Sequence, residues 1–456
     1  MPLPSHECSR SSIYGLTPCN ILHLFFTLHL LTTDRCIFQD DLHDWAAEAS
    51  RMRDVYSNAE FCIAATDAES GNVGLFFDRD VEQLTPVIVE TTWSNKDDTS
   101  DSSKWPRPGS YMFGFYNINP YEAIDEAPLN QRAWVAQERF LSPRTLHFTR
   151  SLLHWECHTS FTSENNTMPD RHSGDWLTHF RSLIHDVKRP ELSVGPIRRM
   201  FLGSVYELWG LYLHRYTSCG ITKESDIFIA LAGIADEIGH AINDCLIAGL
   251  WKGHFIEELC WQTISNSSRP STWRAPTWSW ASLSGRIRPS ELKLVGGPHE
   301  MAAIVEFHIS TKPSGEVEHG SVLVECRLIP AAIIYGYSWS NKDAWRFNAS
   351  AALDESVWNS CSEETNTGNN NLIKVQLDVL DNPCYHTDQG VDVRLLVLTK
   401  HHVDSNLSML GGICVVNSKT QAGSFERVGY FEADDEVAKL VLAAYGQARV
   451  QAILLI

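Results

Sequence analysis

The C-terminal third of the chain constrains the fold most. Seven runs rich in Val, Ile and Leu occupy residues 303–310, 321–337, 372–380, 393–399, 411–416, 425–431 and 450–456. Runs of this composition read as strands, and many spaced strands in succession read as a sandwich or barrel-like module. The middle of the chain has a different period. Apolar residues recur at helical spacing over 176–187, 197–216, 223–242 and 246–263, followed by a Pro/Trp/Ser loop over 267–287. No repeat of the kind that builds solenoids or propellers runs through the sequence.

The N-terminal part alternates helix-like and strand-like segments. Residues 41–56 read as a helix, with Asp41 and Asp44 at its acidic start, suited to the positive end of a helix dipole. Trp45, Ala46, Ala49, Met52, Val55 and Tyr56 form its apolar face. Residues 61–66 read as a short buried strand, 71–74 as a loop and 87–92 as a strand. A polar loop over 94–110 and a helix over 129–141 follow. Residues 145–149 and 151–155 read as a hairpin, 160–175 as polar linker, and Asp434-Asp435 as a turn.

Composition removes several function classes. With 37 basic and 56 acidic side chains in 456 residues, the net charge is −19. Such a surface repels phosphate backbones, so nucleic acid is not an expected partner. The apolar run at 21–31 has 11 residues and two histidines, against the roughly 20 a bilayer span needs. No A-x-A-like cleavage site follows it, so the chain is expected to be cytoplasmic without a membrane span. Twelve cysteines are scattered with no C-x-x-C, which reads as reduced thiols and no metal site. Without secretion, the N-x-[ST] triplets at Asn165, Asn266, Asn348 and Asn406 carry no meaning. Cys157-His158 and His401-His402 lack partners at nucleophile or metal-ligand spacing. Fifteen tryptophans are expected to be packed rather than exposed.

Three blocks carry more specific information. The first runs from Cys36-Ile-Phe-Gln-Asp-Asp41 through Asp44-Trp45 and Glu48 to Met52, Tyr56 and Ala59, with Ile63-Ala-Ala-Thr66 and Gly74-Leu-Phe76 after it. The second is Asn130-Gln-Arg-Ala-Trp-Val-Ala-Gln-Glu-Arg-Phe-Leu-Ser-Pro-Arg144, continued by His147-Phe148 and Trp155-Glu-Cys157. The third is Arg274-Ala-Pro-Thr-Trp-Ser-Trp-Ala-Ser282. Weaker echoes lie at 225–235, 249–261 and 426–431.

In this order the blocks resemble the signatures of fungal heterokaryon-incompatibility (HET) proteins. The family's usual opening, a strand and loop of the type Y-x-x-L-S-Y-x-W-G, has no counterpart in residues 1–33, so the domain is expected to be N-terminally incomplete. The resemblance implies an α+β multidomain chain. Its expected parts are an atypical segment (1–33), a partial α/β, TIR-like HET domain (34–157), a helical region with the Trp-rich loop (158–287) and a β-rich module (288–456).

The implied function is non-self recognition that promotes programmed cell death, through protein partners or self-association and with no cofactor. HET domains distantly resemble TIR domains, some of which hydrolyse NAD with a helix glutamate. That makes Glu48 the candidate catalytic residue and NAD the candidate substrate, a carboxylate there stabilising oxocarbenium-like charge. An inactive truncated family member is the remaining alternative. The plain reading of Glu48 is a surface residue paired with Arg51. Asp44, Trp45, Arg132, Trp134, Gln137, Glu138 and Arg144 are the candidate ligand or partner surface. The alternative for Arg132, Gln137, Glu138 and Arg144 is a buried network anchored by Trp134. Trp278 and Trp280 are expected to alternate onto one face of a strand, packed in the core.

Overall fold

The computed structural model describes residues 42–79, 87–92, 108–113, 121–164, 166–170, 176–189, 196–264, 267–289, 299–312, 315–334, 349–353, 373–379, 391–404 and 407–456. The apolar run at 21–31, the start of the first block and the four sequon asparagines lie outside these residues, as does most of the 94–110 loop. The chain divides into two compact units, Met1–Ser182 and Leu183–Ile456.

The N-terminal unit is built on helix α1 (Leu42–Ser57), which buries Ala49, Met52 and Tyr56 along one stripe. Strand β1 (Cys62–Ala64) follows. Strands β2 (Val87–Thr91) and β3 (Gly109–Phe113) form a separate antiparallel ribbon. A π-helical turn (Tyr121–Asp125) and a 3-10 turn (Pro128–Gln131) precede helix α2 (Ala133–Leu141). The single helix expected over 129–141 is therefore two pieces. Arg132, extended at φ −104° and ψ 129°, ends the 3-10 turn and caps α2.

Strand β4 (Arg144–Phe148) pairs parallel with β1 and antiparallel with β5 (Leu153–Cys157), the expected hairpin. Thr149 ties the hairpin turn. Its Oγ1 donates to the Leu152 carbonyl at 2.7 Å and accepts from the Leu152 amide at 3.1 Å. Strands β6 (Phe161–Ser163) and β7 (Asn166–Asp170) extend the sheet in the order β1-β4-β5-β6-β7. This corrects the linker expected over 160–175. Its polar composition hid two short strands, which pair through backbone groups that any residue but proline supplies. Helix α3 (Trp176–Val187) has the expected bounds.

In the C-terminal unit, helix α4 (Pro196–Tyr216) falls where the helical period places it, while α5 (Ile229–Ile242) forms only the later part of the helix expected over 223–242, whose start is a 3-10 turn (Glu224–Ile227). The helix expected over 246–263 does not form. Two short strands, β8 (Leu246–Ile247) and β9 (Leu250–Trp251), a 3-10 turn, a four-residue helix (Phe255–Glu258) and β10 (Gln262–Thr263), which pairs antiparallel with β11 (Ile287–Arg288), take its place. Positive φ at Ala248 (44°) and Gly249 (95°) breaks the helical path.

The expected strand module is present. β12 (His299–Glu300), β13 (Ala303–Thr311), β14 (Val317–Ile334), β15 (Ala349–Leu353), β16 (Ile373–Leu377), β17 (Val391–Asp404), β18 (Leu407–Asn417), β19 (Ser424–Ala433) and β20 (Val450–Leu455) form one sheet. Its ladders run β14-β15-β16-β19-β18-β17 and return to β14, closing a six-stranded barrel. The interior is aliphatic, with Ile333, Ile373, Val375, Leu395, Val397 and Phe431 at its centre. Helix α6 (Asp435–Gln447) packs Ala438, Val441 and Ala444 against this core. The turn expected at Asp434-Asp435 is the start of that helix, with Asp434 at the N-cap position and Asp435 in its first turn. Among the described residues no helix is long and apolar enough to cross a membrane.

Candidate functional site

Glu48 lies on α1, part-exposed, with its Oε1 2.9 Å from Arg51 Nη1. This is the i,i+3 surface pair that spacing alone suggests. Asp44 occupies the first turn of the same helix. Trp45 meets Trp134 of α2 edge-to-face, with ring centroids 6.2 Å apart at 88°. The structure thus brings the first two blocks together through their tryptophans. Arg132 is exposed at the start of α2. Arg144 is exposed and donates from Nη1 to the Glu60 carbonyl at 3.1 Å. Gln137 is buried, and Glu138 is half-buried. Burial and the Glu138 charge push the Cys62 thiol up to about 11.

The densest polar chemistry of the unit surrounds Glu156, a residue of the second block. Its side chain is fully buried on β5. Oε2 accepts from Arg139 Nε at 2.8 Å and lies 2.9 Å from His147 Nε2, while Oε1 accepts from Arg181 Nη1 at 3.2 Å. Arg139 also pairs with Asp125, which accepts from Trp176 Nε1 at 3.3 Å. Arg181 donates to the Ser142 carbonyl. His147 Nδ1 lies 3.0 Å from Thr66 Oγ1. Burial pushes the Glu156 carboxyl up. Arg139, the His147 hydrogen bond and the charges of His147 and Arg181 outweigh that and hold it well below the usual carboxylate range.

Glu156, His147 and Thr66 line up as carboxylate, imidazole and hydroxyl, the form of a nucleophile relay. Each is at most 1% exposed, so no substrate reaches the hydroxyl. What the arrangement does is structural. It ties β5, β4 and the end of β1 to α2 and α3, and a buried charge partnered on every side costs far less than one left alone.

The sheet face behind this network is inverted. On β4 and β5 the alternation turns Thr145, His147, His154 and Glu156 inward and leaves Leu146, Phe148, Leu153 and Trp155 half-buried. A polar strand face normally points to water. Arg139, His147 and Glu156 stand inside the second block but were not among the sequence candidates. The signal that marks them is a hairpin whose polar face carries ionisable groups of complementary charge. Cys157, half-buried, sits 3.2 Å from Ser160 Oγ. Burial raises its pKa, but hydrogen bonds from Ser160 and Thr159 outweigh it and bring the thiol below its ordinary range.

The third block is a buttress of the C-terminal unit. Trp278 and Trp280 are buried but stand on a 3-10 turn (Trp280–Ser282) and its approach, not on the expected strand. The run Pro276-Thr-Trp-Ser279 closes a turn, with the Ser279 amide bonded to the Pro276 carbonyl at 3.0 Å. Trp280 Nε1 donates to the Gly249 carbonyl at 2.8 Å, and Trp261 Nε1 to the Trp278 carbonyl at 2.9 Å. A Cβ at Gly249 would come within 2.6 Å of Trp280 Nε1, which together with its positive φ requires glycine. Arg274 donates to the carbonyls of Ala281, Leu283 and Glu224. Below the block, Arg427 is fully buried. It pairs with Asp378, donates to the Leu259 and Trp261 carbonyls, and lies 3.3 Å from the Trp261 ring centroid.

Among the described residues no group of three or more His, Cys, Asp or Glu is arranged to hold a metal ion. The described cysteines are free thiols. Compared with known proteins, residues 33–138 match the family model described as heterokaryon incompatibility protein (HET). Neither a curated protein nor a solved structure matches the chain.

Proposed function

We propose that the chain acts in heterokaryon incompatibility as a cytoplasmic signalling and interaction module that promotes cell death, because residues 33–138 match the HET family model. The observation that carries this reading is the family match. The geometry favours contact over catalysis. The polar groups at the heart of the N-terminal unit, Glu156, His147 and Arg181, are buried and, with the part-buried Arg139, bound to one another. Glu48 stands at the surface in an ordinary pair with Arg51. A glycosidic cleavage site needs a carboxylate beside a cleft that orients the sugar, and a paired helix glutamate supplies only the first of these. Arg132, exposed at the start of α2, supports this reading as a charged surface group.

The test is inducible expression of the full chain in a filamentous fungus, scored for cell death, with Glu48→Gln alongside. Nicotinamide release from NAD is measured on the same proteins. Death that persists in Glu48→Gln, without nicotinamide release, is the expected result. Loss of both death and release in the variant would overturn the interaction reading in favour of a TIR-like NAD hydrolase. No death from a folded chain would leave the inactive family member.

A further inference from the structure

His154 is the one member of the inverted sheet face without a partner for either ring nitrogen. It is 2% exposed, stands opposite His147 in the β4–β5 register, and stacks on Phe161 with centroids 5.6 Å apart. Thr145 Oγ1, on the same buried face, is likewise unpartnered. The charged and titratable groups around it are already committed. His147 on β4 is held between Glu156 and Thr66. Glu156 on β5 takes Arg139 from α2 and Arg181 from α3, and Asp125 from the π-helical turn takes Arg139. Glu138 of α2 is half-buried, and the Cys62 thiol of β1 stays protonated. Strand β6 meets His154 with Phe161 and, in register, Ser163, neither of which carries charge. Among the described residues, a proton on His154 would find no hydrogen-bond partner and no free counter-charge, and it would face the His147 ring.

We propose that His154 is an acid-sensitive latch of the N-terminal unit: protonation of its buried ring opens the β4–β5–β6 sheet and frees the network that Glu156 organises. Burial first, then the His147 charge, pushes His154 down to about 4. In an opened sheet the ring regains the ordinary value near 6.5. The open form therefore binds the proton more tightly. The latch holds fully above that ordinary value and weakens as pH falls towards about 4. Between pH 7 and pH 5 the opening equilibrium rises about 20-fold on these values.

The experiment is hydrogen exchange on the full chain at pH 7 and pH 5, corrected for intrinsic exchange rates and read on peptides spanning 144–163. The expected result is a rise in opening of about 20-fold. It is largely absent in His154→Phe, which keeps the stack on Phe161. Equal acid opening in His154→Phe and the parent chain would overturn the proposal. Should that variant fail to fold, exchange at the imidazole C2 position of the parent chain reads the titration of His154 directly. A midpoint well below 6.5 supports the latch, and one at or above 6.5 overturns it.

Discussion

In the N-terminal unit, β4 and β5 turn Thr145, His147, His154 and Glu156 into the interior. In the C-terminal unit, the barrel strands turn in Val375, Leu395, Val397 and Phe431. Both interiors exclude water, but they derive uniqueness from different forces. Aliphatic burial is non-directional, so a barrel core accepts many packings of similar volume and loses stability in proportion to the apolar area lost. A charge network is directional. It admits one arrangement, because each alternative leaves an ion without a partner in a region of low polarity. The charge-built unit should therefore break abruptly on loss of a single group, and should feel pH more than the apolar one.

The largest effect is expected from Glu156→Gln. It leaves Arg139, Arg181 and His147 without the anion they share. Removing one partner of a buried ionic group costs about 3–5 kcal/mol, and the loss should fall on peptides of the N-terminal unit in hydrogen exchange under urea. An effect spread evenly over both units would break the comparison. The C-terminal counterpart is Arg427→Met, which strands Asp378 and the carbonyls of Leu259 and Trp261. Its cost is also about 3–5 kcal/mol. Here the added change Asp378→Leu should recover part of the loss, because the surrounding barrel is apolar and accepts the replacement. No single second change repairs Glu156→Gln, since two arginines and a histidine would remain.

The same contrast decides what was legible from sequence. Barrel strands such as β17 and β19 stand out because the force that buries them is written as runs of Val, Ile and Leu. Helix α3 stands out because its apolar period is clean. The segments of β6 and β7 read as linker in the sequence, because their pairing depends on backbone groups and their composition is mostly polar. The segment 246–263 was read as helix because Leu250, Trp251, Phe255, Ile256 and Leu259 suit a helical stripe. The positive φ at Ala248 and Gly249, set by the approach of Trp280, is a tertiary constraint that periodicity does not record. Around the candidate site, the second block marked the right segment. Alternation along β4 and β5 does not itself say which face is buried, and the pairing of Glu156 with Arg139 and the distant Arg181 decides it.

A third effect, smaller than the charge deletions, concerns acid. The roughly 20-fold opening between pH 7 and pH 5 corresponds to about 1.8 kcal/mol. It should appear in the N-terminal unit while the barrel peptides stay protected. His401 is the sharpest internal control. It is buried in β17 at 2% exposure; burial lowers its pKa, the Glu257 charge raises it in opposition, and the His299 charge lowers it by a lesser amount. With a carboxylate to offset part of its burial, His401 should contribute a smaller acid response than His154, so His401→Gln should change the barrel's pH profile less than His154→Phe changes the sheet's. A larger change at His401 would show that burial alone, and not the missing counter-charge, sets acid sensitivity.

The smallest effect is expected at Glu48, and its smallness is what makes the variant useful. Glu48 and Arg51 are neighbours on one helix turn, with side-chain exposures of 30% and 61%. Water screens such a pair and side-chain entropy opposes it, so Glu48→Gln should change stability by about 0–1 kcal/mol, measured by thermal melting of the full chain. A larger loss would mean that Glu48 is tied into the unit as Glu156 is. With the fold intact, any change in cell death caused by Glu48→Gln reports on a contact or reaction made by the carboxylate. Glu156→Gln cannot separate those cases, because a chain that loses its sheet loses every surface the sheet supports.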